Sequence, residues 1–243
     1  MQVIRILIAL ALAVISSGHV THAANARPRA HLVHGVPYTK QMPNYCGPAS
    51  LCSLLTFWNV KTDQKDIGSR VYDDGTHGTN AGDLLMYCRE RGLSAYSMNG
   101  TLDDLKQFIS QGYPIIVLQN MSPHDASGHY RVTIGYDDQT GTITFQDSMT
   151  PDPVLMKYSD FDALWGRRGR WAMLVAPLEK DIFQKTLGER NPVLCMDLAQ
   201  AYLHKGSYDQ AEIQCMRALS IEPSNPYAKK LLAGAKAHTP VKL

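Results

Sequence analysis

The fold is organised around one turn-rich stretch, Gln41-Met-Pro-Asn-Tyr-Cys46-Gly-Pro-Ala-Ser50. Apolar residues then recur at the 3.6-residue period of a helix, at Leu51, Leu54, Leu55 and Trp58. Proline is tolerated in a first helical turn, so Pro48 allows a helix to begin beside Cys46. The unpaired amides and the dipole of a helix N-terminus favour a thiolate and can bind an oxyanion. The stretch therefore makes Cys46 a candidate for an activated thiol, with Gln41 near enough to add a side-chain N–H donor. Most lone cysteines at helix starts are inert, so the rest of the chain has to supply a base.

The overall composition is that of a folded globular protein. The chain has 243 residues, of which 44% are hydrophobic and 19% are charged. This length suits one large domain, or one medium domain with an appendage. A formal net charge of +2 gives no reason to predict a nucleic acid or an anionic membrane as partner.

The first 23 residues have the pattern of a secretory signal. Arg5 precedes a short apolar run from Ile6 to Ile15, and small residues lead to Ala23. The run is shorter than the roughly 20 apolar residues that span a bilayer, so no membrane span is predicted. We expect a mature chain that starts near Ala24 and is exported, to the periplasm or the extracellular medium.

Export bears on the five cysteines, because an oxidising compartment permits disulfides. They are Cys46, Cys52, Cys88, Cys195 and Cys215. An odd number leaves at least one thiol unpaired, and two pairs plus a reactive Cys46 or five unpaired thiols both remain open. Antiparallel helices would bring Cys195 level with Cys215, so we expect a disulfide there. Cys52 and Cys88 are expected on buried helix faces away from Cys46.

The order of the predicted elements is typical of an α+β fold. Helical patterns dominate up to Gly112, and strand patterns follow from Pro114–Leu118 onward. The alternating strand His129–Tyr136 returns through a hairpin turn into Thr142–Gln146, and Trp171–Ala176 is a last strand. Helices first and an antiparallel sheet second is the arrangement predicted for residues 24–178.

The segment 179–243 reads as a linker followed by a helical repeat. Two helical patterns are joined by Lys205-Gly206-Ser207. The spacing of a tetratricopeptide repeat is matched by Leu198, Ala199, Tyr202, Gly206, Tyr208, Ala211, Ala218 and Pro223. Residues 226–237 are predicted to form a capping helix. Because a single repeat buries its apolar face poorly, we expect it to dock on the first domain or on a protein partner.

A cysteine nucleophile needs a base and a group that orients the base. His129 begins a strand after Gly128, on a face shared with polar residues, and the hairpin returns the chain beside it at Asp147. Histidine and carboxylate can therefore meet across one hairpin; the alternative interpretation is that Asp147 only caps a turn. No set of residues shows the spacing of a metal site, and no cofactor is predicted.

The motifs together resemble the bacteriocin-processing, double-glycine cysteine peptidases of the papain-like group, in a stand-alone secreted form. The resemblance lies in Gln-x4-Cys-Gly-Pro-Ala-Ser-Leu, Gly112–Val117, Gly128–Asp137 and Gln146-Asp-Ser148, and covers about residues 35–178. It implies a papain-like fold, with Cys46 as nucleophile, His129 as general base and acid, Asp147 as orienting group and Gln41 as oxyanion donor. No transporter segments follow, and the helical repeat is foreign to the best-known members.

The sequence thus predicts an exported cysteine peptidase that acts on a peptide or protein, with the repeat as a docking module. An amidase or acyltransferase using the same triad is an alternative. So is a binding protein whose papain-like domain is catalytically idle.

Overall fold

The computed structural model describes residues 27–188, 190–239 and 241. The predicted signal segment therefore lies outside the described residues. The strands of the described part are β1 (Ala30–Leu32), β2 (Tyr72–Asp73), β3 (Gly78–Thr79), β4 (Leu93–Asn99), β5 (Ile115–Asn120), β6 (Gly128–Asp137), β7 (Thr142–Gln146), β8 (Val154–Lys157) and β9 (Trp171–Pro177). Its helices are α1 (Cys46–Phe57), α2 (Gln64–Val71), α3 (Ala81–Glu90), α4 (Leu102–Ser110), α5 (Tyr158–Gly166), a 3₁₀ turn (Leu178–Lys180), α6 (Gln184–Leu187), α7 (Pro192–His204), α8 (Tyr208–Ile221) and α9 (Pro226–Lys236).

The main sheet is antiparallel throughout, in the order β4-β9-β5-β6-β7-β8. Strand β6 is long enough to pair with β5 along its first half and with β1 along its second half. On its other side it pairs with β7 through a hairpin, as the alternating sequence predicted. The α+β class with an antiparallel sheet is confirmed.

Local sequence signals explain where the helices begin. The Asp63 side chain accepts hydrogen bonds from the first-turn amides of α2. Thr101 and Asp104 form the predicted capping box at the start of α4. Apolar side chains of these helices and of α1 belong to one hydrophobic core, and Leu51, Leu54 and Leu55 are fully buried there.

Strand β4 was not predicted. Its sequence, Leu93-Ser-Ala-Tyr-Ser-Met-Asn99, contains no β-branched residue, and serine and alanine are weak strand signals. It nevertheless pairs with β9 along its whole length and forms one edge of the sheet. The outer edge is covered, because Arg89 donates to the Ala95 carbonyl and Asn191 donates to the Ser97 carbonyl. Capping of this kind protects an edge strand from pairing with another chain.

The two helices predicted after residue 190, and the third that caps them, are present as α7, α8 and α9. They share a cluster of small side chains that includes Ala199, Ala211 and Ala228. Helix α7 also packs against α3 and β4, and its Leu194 and Leu198 belong to the core of the α/β part. The predicted division at residue 178 stays a prediction, but the core of the α/β part continues beyond it.

The contact between α3 and α7 is a close approach of two backbones. A Cβ atom on Gly82 would clash with the carbonyl oxygen of Asp197. The Asp197 carboxyl is buried and accepts a hydrogen bond of 2.8 Å from the indole Nε1 of Trp171 on β9. His204 pairs with Asp83 across the same interface at 2.8 Å. Helix α7 is thus fixed to the α/β part by backbone packing, a buried hydrogen bond and an ion pair.

The predicted disulfide in the helical segment is wrong, because Cys195 and Cys215 are free thiols. Cys215 is fully buried among the alanines between the helices, whereas Cys195 is only half-buried at the margin of that cluster. Both cysteines contact the cluster between the helices, but their sulfur atoms are not bonded to each other. Within the described residues, no helix is long and apolar enough to cross a membrane.

Candidate active site

Cys46 is the first residue of α1, as the sequence predicted. The preceding residue, Tyr45, makes no side-chain capping bond, so the first amides of the helix stay open toward the thiol. The residue after the cysteine must be small, since a Cβ on Gly47 would lie 3.0 Å from the Cβ of Thr79. Strand β3 therefore packs directly against the N-terminus of α1 and forms one wall beside Cys46.

A buried hydrogen bond fixes α1 against β6 next to the histidine. The Ser50 hydroxyl, one helical turn after Cys46, donates to the Tyr130 carbonyl at 3.1 Å. His129 precedes Tyr130 on β6 and pairs in register with Gln119 on β5. The hairpin then returns through β7 and places Asp147 directly after Gln146. The fold thus brings Cys46, His129 and Asp147 together.

The imidazole of His129 is almost fully buried between the thiol and the carboxylate. Its Nε2 lies 2.9 Å from Oδ1 of Asp147. The same oxygen accepts a hydrogen bond of 2.9 Å from the backbone amide of Met149. The carboxylate therefore fixes the ring, which leaves Nδ1 as the ring nitrogen available to Cys46.

The electrostatics favour a thiolate and an imidazolium. Burial opposes ionisation of Cys46, but the interaction with His129 and the backbone amides of Tyr130 and Gly47 lower its pKa below the ordinary value. Burial likewise opposes protonation of His129, but Asp147 and Cys46 raise its pKa. Burial also disfavours the Asp147 anion, yet its partners hold its pKa at about 2. Opposite shifts on cysteine and histidine are those of an ion pair.

Arg131 is a further residue of the site, and the sequence analysis did not identify it. Its Nε donates to Oδ2 of Asp147 at 2.9 Å, and one terminal nitrogen donates to Oε1 of Gln119 at 3.1 Å. The signal available was its place two residues after His129, on the same face of an alternating strand. A cation on the buried face of a strand indicates an anionic partner.

Gln41 is held beside the residue that follows the carboxylate. Its side-chain oxygen accepts a hydrogen bond of 2.8 Å from the Ser148 hydroxyl, and its backbone amide donates to the Ser148 carbonyl at 3.1 Å. With Oε1 engaged by Ser148, the amide group Nε2 faces away from that hydroxyl. The role of this amide as an oxyanion donor remains a prediction.

The other cysteines lie elsewhere. Cys52 and Cys88 are buried within the core, as expected, and burial raises the pKa of the Cys88 thiol to about 12. In residues 27–188, 190–239 and 241, no three side chains of His, Cys, Asp or Glu are grouped as metal ligands would be.

A cysteine at a helix N-terminus, facing a histidine that is oriented by a carboxylate, defines the class of thiol-dependent acyl-transfer sites. The family model of the Peptidase_C39-like family matches residues 33–173, which is well over half of the chain. The chain therefore belongs to this family.

Several solved structures are similar to part of this chain, two of which are peptidases of transporters. The peptidase domain of Streptococcus ComA, a bi-functional ABC transporter, is 20% identical, with a TM-score of 0.49; the match covers 59% of this chain and 99% of that one. A double glycine motif protease from an AMS/PCAT transporter, in complex with the leader peptide, is 20% identical, with a TM-score of 0.47; the match covers 61% of this chain and 98% of that one. No curated protein matches the chain.

Proposed function

We propose that the protein is a cysteine peptidase in which Cys46 is the nucleophile, His129 the general base and acid, and Asp147 the orienting group. The observation that carries the proposal is the buried His129 ring, fixed by Asp147 at 2.9 Å beside a thiol at the start of α1. Membership of a peptidase-like family supports peptide-bond hydrolysis as the reaction.

The mechanism follows from the charges of the site. The Cys46 thiolate attacks the carbonyl carbon of the scissile bond, and the negative charge moves to the carbonyl oxygen. The Cys46 amide and the Gln41 side-chain amide would donate to that oxyanion. The His129 imidazolium gives its proton to the leaving amine, which breaks the C–N bond and leaves a thioester. Water then attacks the thioester while His129 takes its proton, and the acid product departs as the Cys46 thiolate is restored.

The proposal extends to location and to the helical segment. The pattern of residues 1–23 supports export, to the periplasm or the extracellular medium, after removal of a signal peptide. Helices α7 to α9 would form a tetratricopeptide-type hairpin with a capping helix, and the exposed side of α8 would be available to a protein partner. Ile213 and Met216 are exposed on that helix.

A peptide library incubated with the mature chain tests the proposal. We expect cleavage products by mass spectrometry, none with Cys46→Ala or His129→Ala, and reduced but measurable turnover with Asp147→Ala, since a misoriented histidine is still a base. Circular dichroism of each variant confirms that it is folded. Products that appear only when an amine acceptor is added would assign acyl transfer instead of hydrolysis. The wild type could instead be folded but show no turnover, with a Cys46 that resists an electrophilic label. That outcome would support the alternative of a binding protein whose papain-like domain is catalytically idle.

A further inference from the structure

We infer that Arg131 is a positioning residue that holds the Asp147 carboxylate and balances its charge, so that the two side chains act on His129 as one neutral unit. The inference rests on the proposed function, because it assigns Arg131 a part in the same site. It goes beyond that function by adding a fourth charged group to the triad.

The geometry accounts for both oxygens of the carboxylate. Oδ1 of Asp147 takes its hydrogen bonds from His129 and from the Met149 amide, each at 2.9 Å. Oδ2 takes its hydrogen bond from Nε of Arg131, also at 2.9 Å. A carboxylate held at both oxygens cannot rotate, so its plane and the direction of the His129 ring are fixed together. Without Arg131, Oδ2 would lose its charged donor in a buried place.

The guanidinium is itself anchored on several sides. Gln119 accepts from Arg131 at 3.1 Å and in turn donates to the Phe161 carbonyl on α5 at 3.0 Å. The guanidinium carbon also lies 5.2 Å from the centre of the Phe145 ring. Only 6% of Arg131 is exposed and Gln119 is fully buried. The ion pair of Arg131 with Asp147 is therefore buried. A surface ion pair, in contrast, would contribute little to stability.

The position of Arg131 matters because it sets the net charge of the buried cluster. In the reactive state Cys46 and Asp147 are anionic, while His129 and Arg131 are cationic, so the buried cluster has no net charge. These are the charged groups that face the imidazole from α1, from β6 and from the turn after β7, and Gln119 on β5 is neutral. Removal of Arg131 alone would leave a net negative cluster, and the Cys46 thiolate would then form near an uncompensated carboxylate.

The pH dependence of Cys46 alkylation by iodoacetamide tests the inference without a substrate. Loss of a nearby positive charge stabilises the protonated form of every neighbouring acid. The acid limb of the profile is the pH range in which the alkylation rate rises as the Cys46 thiolate forms. We therefore expect Arg131→Gln to move this limb to higher pH, by about one unit. Arg131→Lys, which keeps the charge, should keep the limb near its wild-type position. Arg131→Met, which is uncharged and of similar length, should move the limb as Arg131→Gln does.

The design separates a charge-balancing role from simple packing. Loss of packing would affect thermal unfolding of all three variants, but it would not separate the profile of the charged lysine variant from the profiles of the two uncharged variants. An Arg131→Gln profile that matches the wild type, or an Arg131→Lys profile shifted as far as that of Arg131→Gln, overturns the inference. If Arg131→Gln does not fold, the other two variants decide: Arg131→Lys must keep the wild-type limb and Arg131→Met must shift it. A wild-type Cys46 that is unreactive below neutral pH and a chain that cleaves no peptide would instead reject the proposed function.

Discussion

The hydroxyl of Ser148 lies 2.8 Å from the side-chain oxygen of Gln41, so the residue after the carboxylate holds the predicted oxyanion donor. Two loops that are 107 positions apart in the chain meet at this hydrogen bond. The buried Ser148 side chain thus connects the segment that orients His129 with the segment that precedes Cys46. The orientation of the Gln41 amide depends on it.

Ser148→Ala is expected to lower kcat roughly 5-fold with little change in KM, because one net hydrogen bond of about 1 kcal/mol that orients Gln41 is lost. Gln41→Ala should cost more, roughly 100-fold, as for loss of an oxyanion donor. Steady-state kinetics on one cleavable peptide provides the measurement. The Gln41→Ala/Ser148→Ala double variant should be no slower than Gln41→Ala alone. Fully additive losses would show that Ser148 acts independently of Gln41.

Cys46 should be alkylated faster at pH 6 than an ordinary thiol, whose pKa is about 8.5, because the pKa of Cys46 is lowered. His129→Ala should slow the reaction at least 10-fold at pH 6 and much less at pH 9, where thiolate forms without the imidazolium. Peptide mapping after iodoacetamide treatment identifies the labelled site. The buried Cys88 is an internal control and should stay unlabelled. Equal rates for wild type and variant at pH 6 would contradict the ion pair.

The buried carboxyl of Asp197 should make the free energy of unfolding fall as pH rises. Burial raises its pKa to about 6, and the hydrogen bond from Trp171 offsets this only in part. A raised folded-state pKa means that the stabilising contribution is complete below the unfolded value near 3.9 and is lost as pH rises through about 6. The free energy of unfolding should therefore lose about 2 kcal/mol from this group between pH 4 and pH 7.

Asp197→Asn provides the matched test, because asparagine can still accept from Trp171 but cannot ionise. Urea unfolding at pH 4 and at pH 7 should show the variant gaining stability relative to wild type as pH rises. A constant difference between the two proteins across that range would show that Asp197 does not titrate as described.

Gly82→Ala should destabilise the protein by about 1–3 kcal/mol, because the added methyl group forces α3 and α7 apart. Thermal unfolding measures the loss. A chain that ends before α7 should be affected more strongly, since it also lacks Leu194 and Leu198 in the core. A chain that ends after Lys205 keeps α7 and is the comparison for losing only α8 and α9. Equal stability of the two truncated chains would contradict a structural role for α7.

Local patterns made three of the residues that meet in the site candidates, and the resemblance to a peptidase family implied their roles. Cys46 was placed by the proline after it and the apolar period that follows, and His129 and Asp147 by an alternating strand with one hairpin. Arg131 could not be assigned in the same way, because its partners are Asp147 and Gln119, and Gln119 lies on a neighbouring strand. The contact of Ser148 with Gln41 likewise depends on how two distant loops pack.

Two features of the fold could not be predicted from the sequence, for physical reasons. Strand β4 is stabilised by pairing with β9 and by side chains that cover its edge, not by strand propensity of its own. Helix α7 looks like the first half of a separate hairpin because Ala199 and Leu203 belong to the cluster shared with α8 and α9. Its Leu194 and Leu198, however, belong to the core of the preceding part. A periodic pattern shows that a face is apolar but not which element will cover it.

The position of α7 in the chain bears on when the molecule becomes competent during synthesis. Ribosomes deliver the chain from its N-terminus, and preceding segments begin to fold as they emerge. The three residues of the site, Cys46, His129 and Asp147, emerge well before α7. Leu194 and Leu198 of α7 complete the core where this helix packs against α3. A nascent chain that already carries the nucleophile and its base therefore still lacks part of the core that supports them. Activation of the thiol would then be delayed until α7 has emerged, and nascent chains arrested before α7 should react more slowly with an electrophile than the complete α/β part at the same pH.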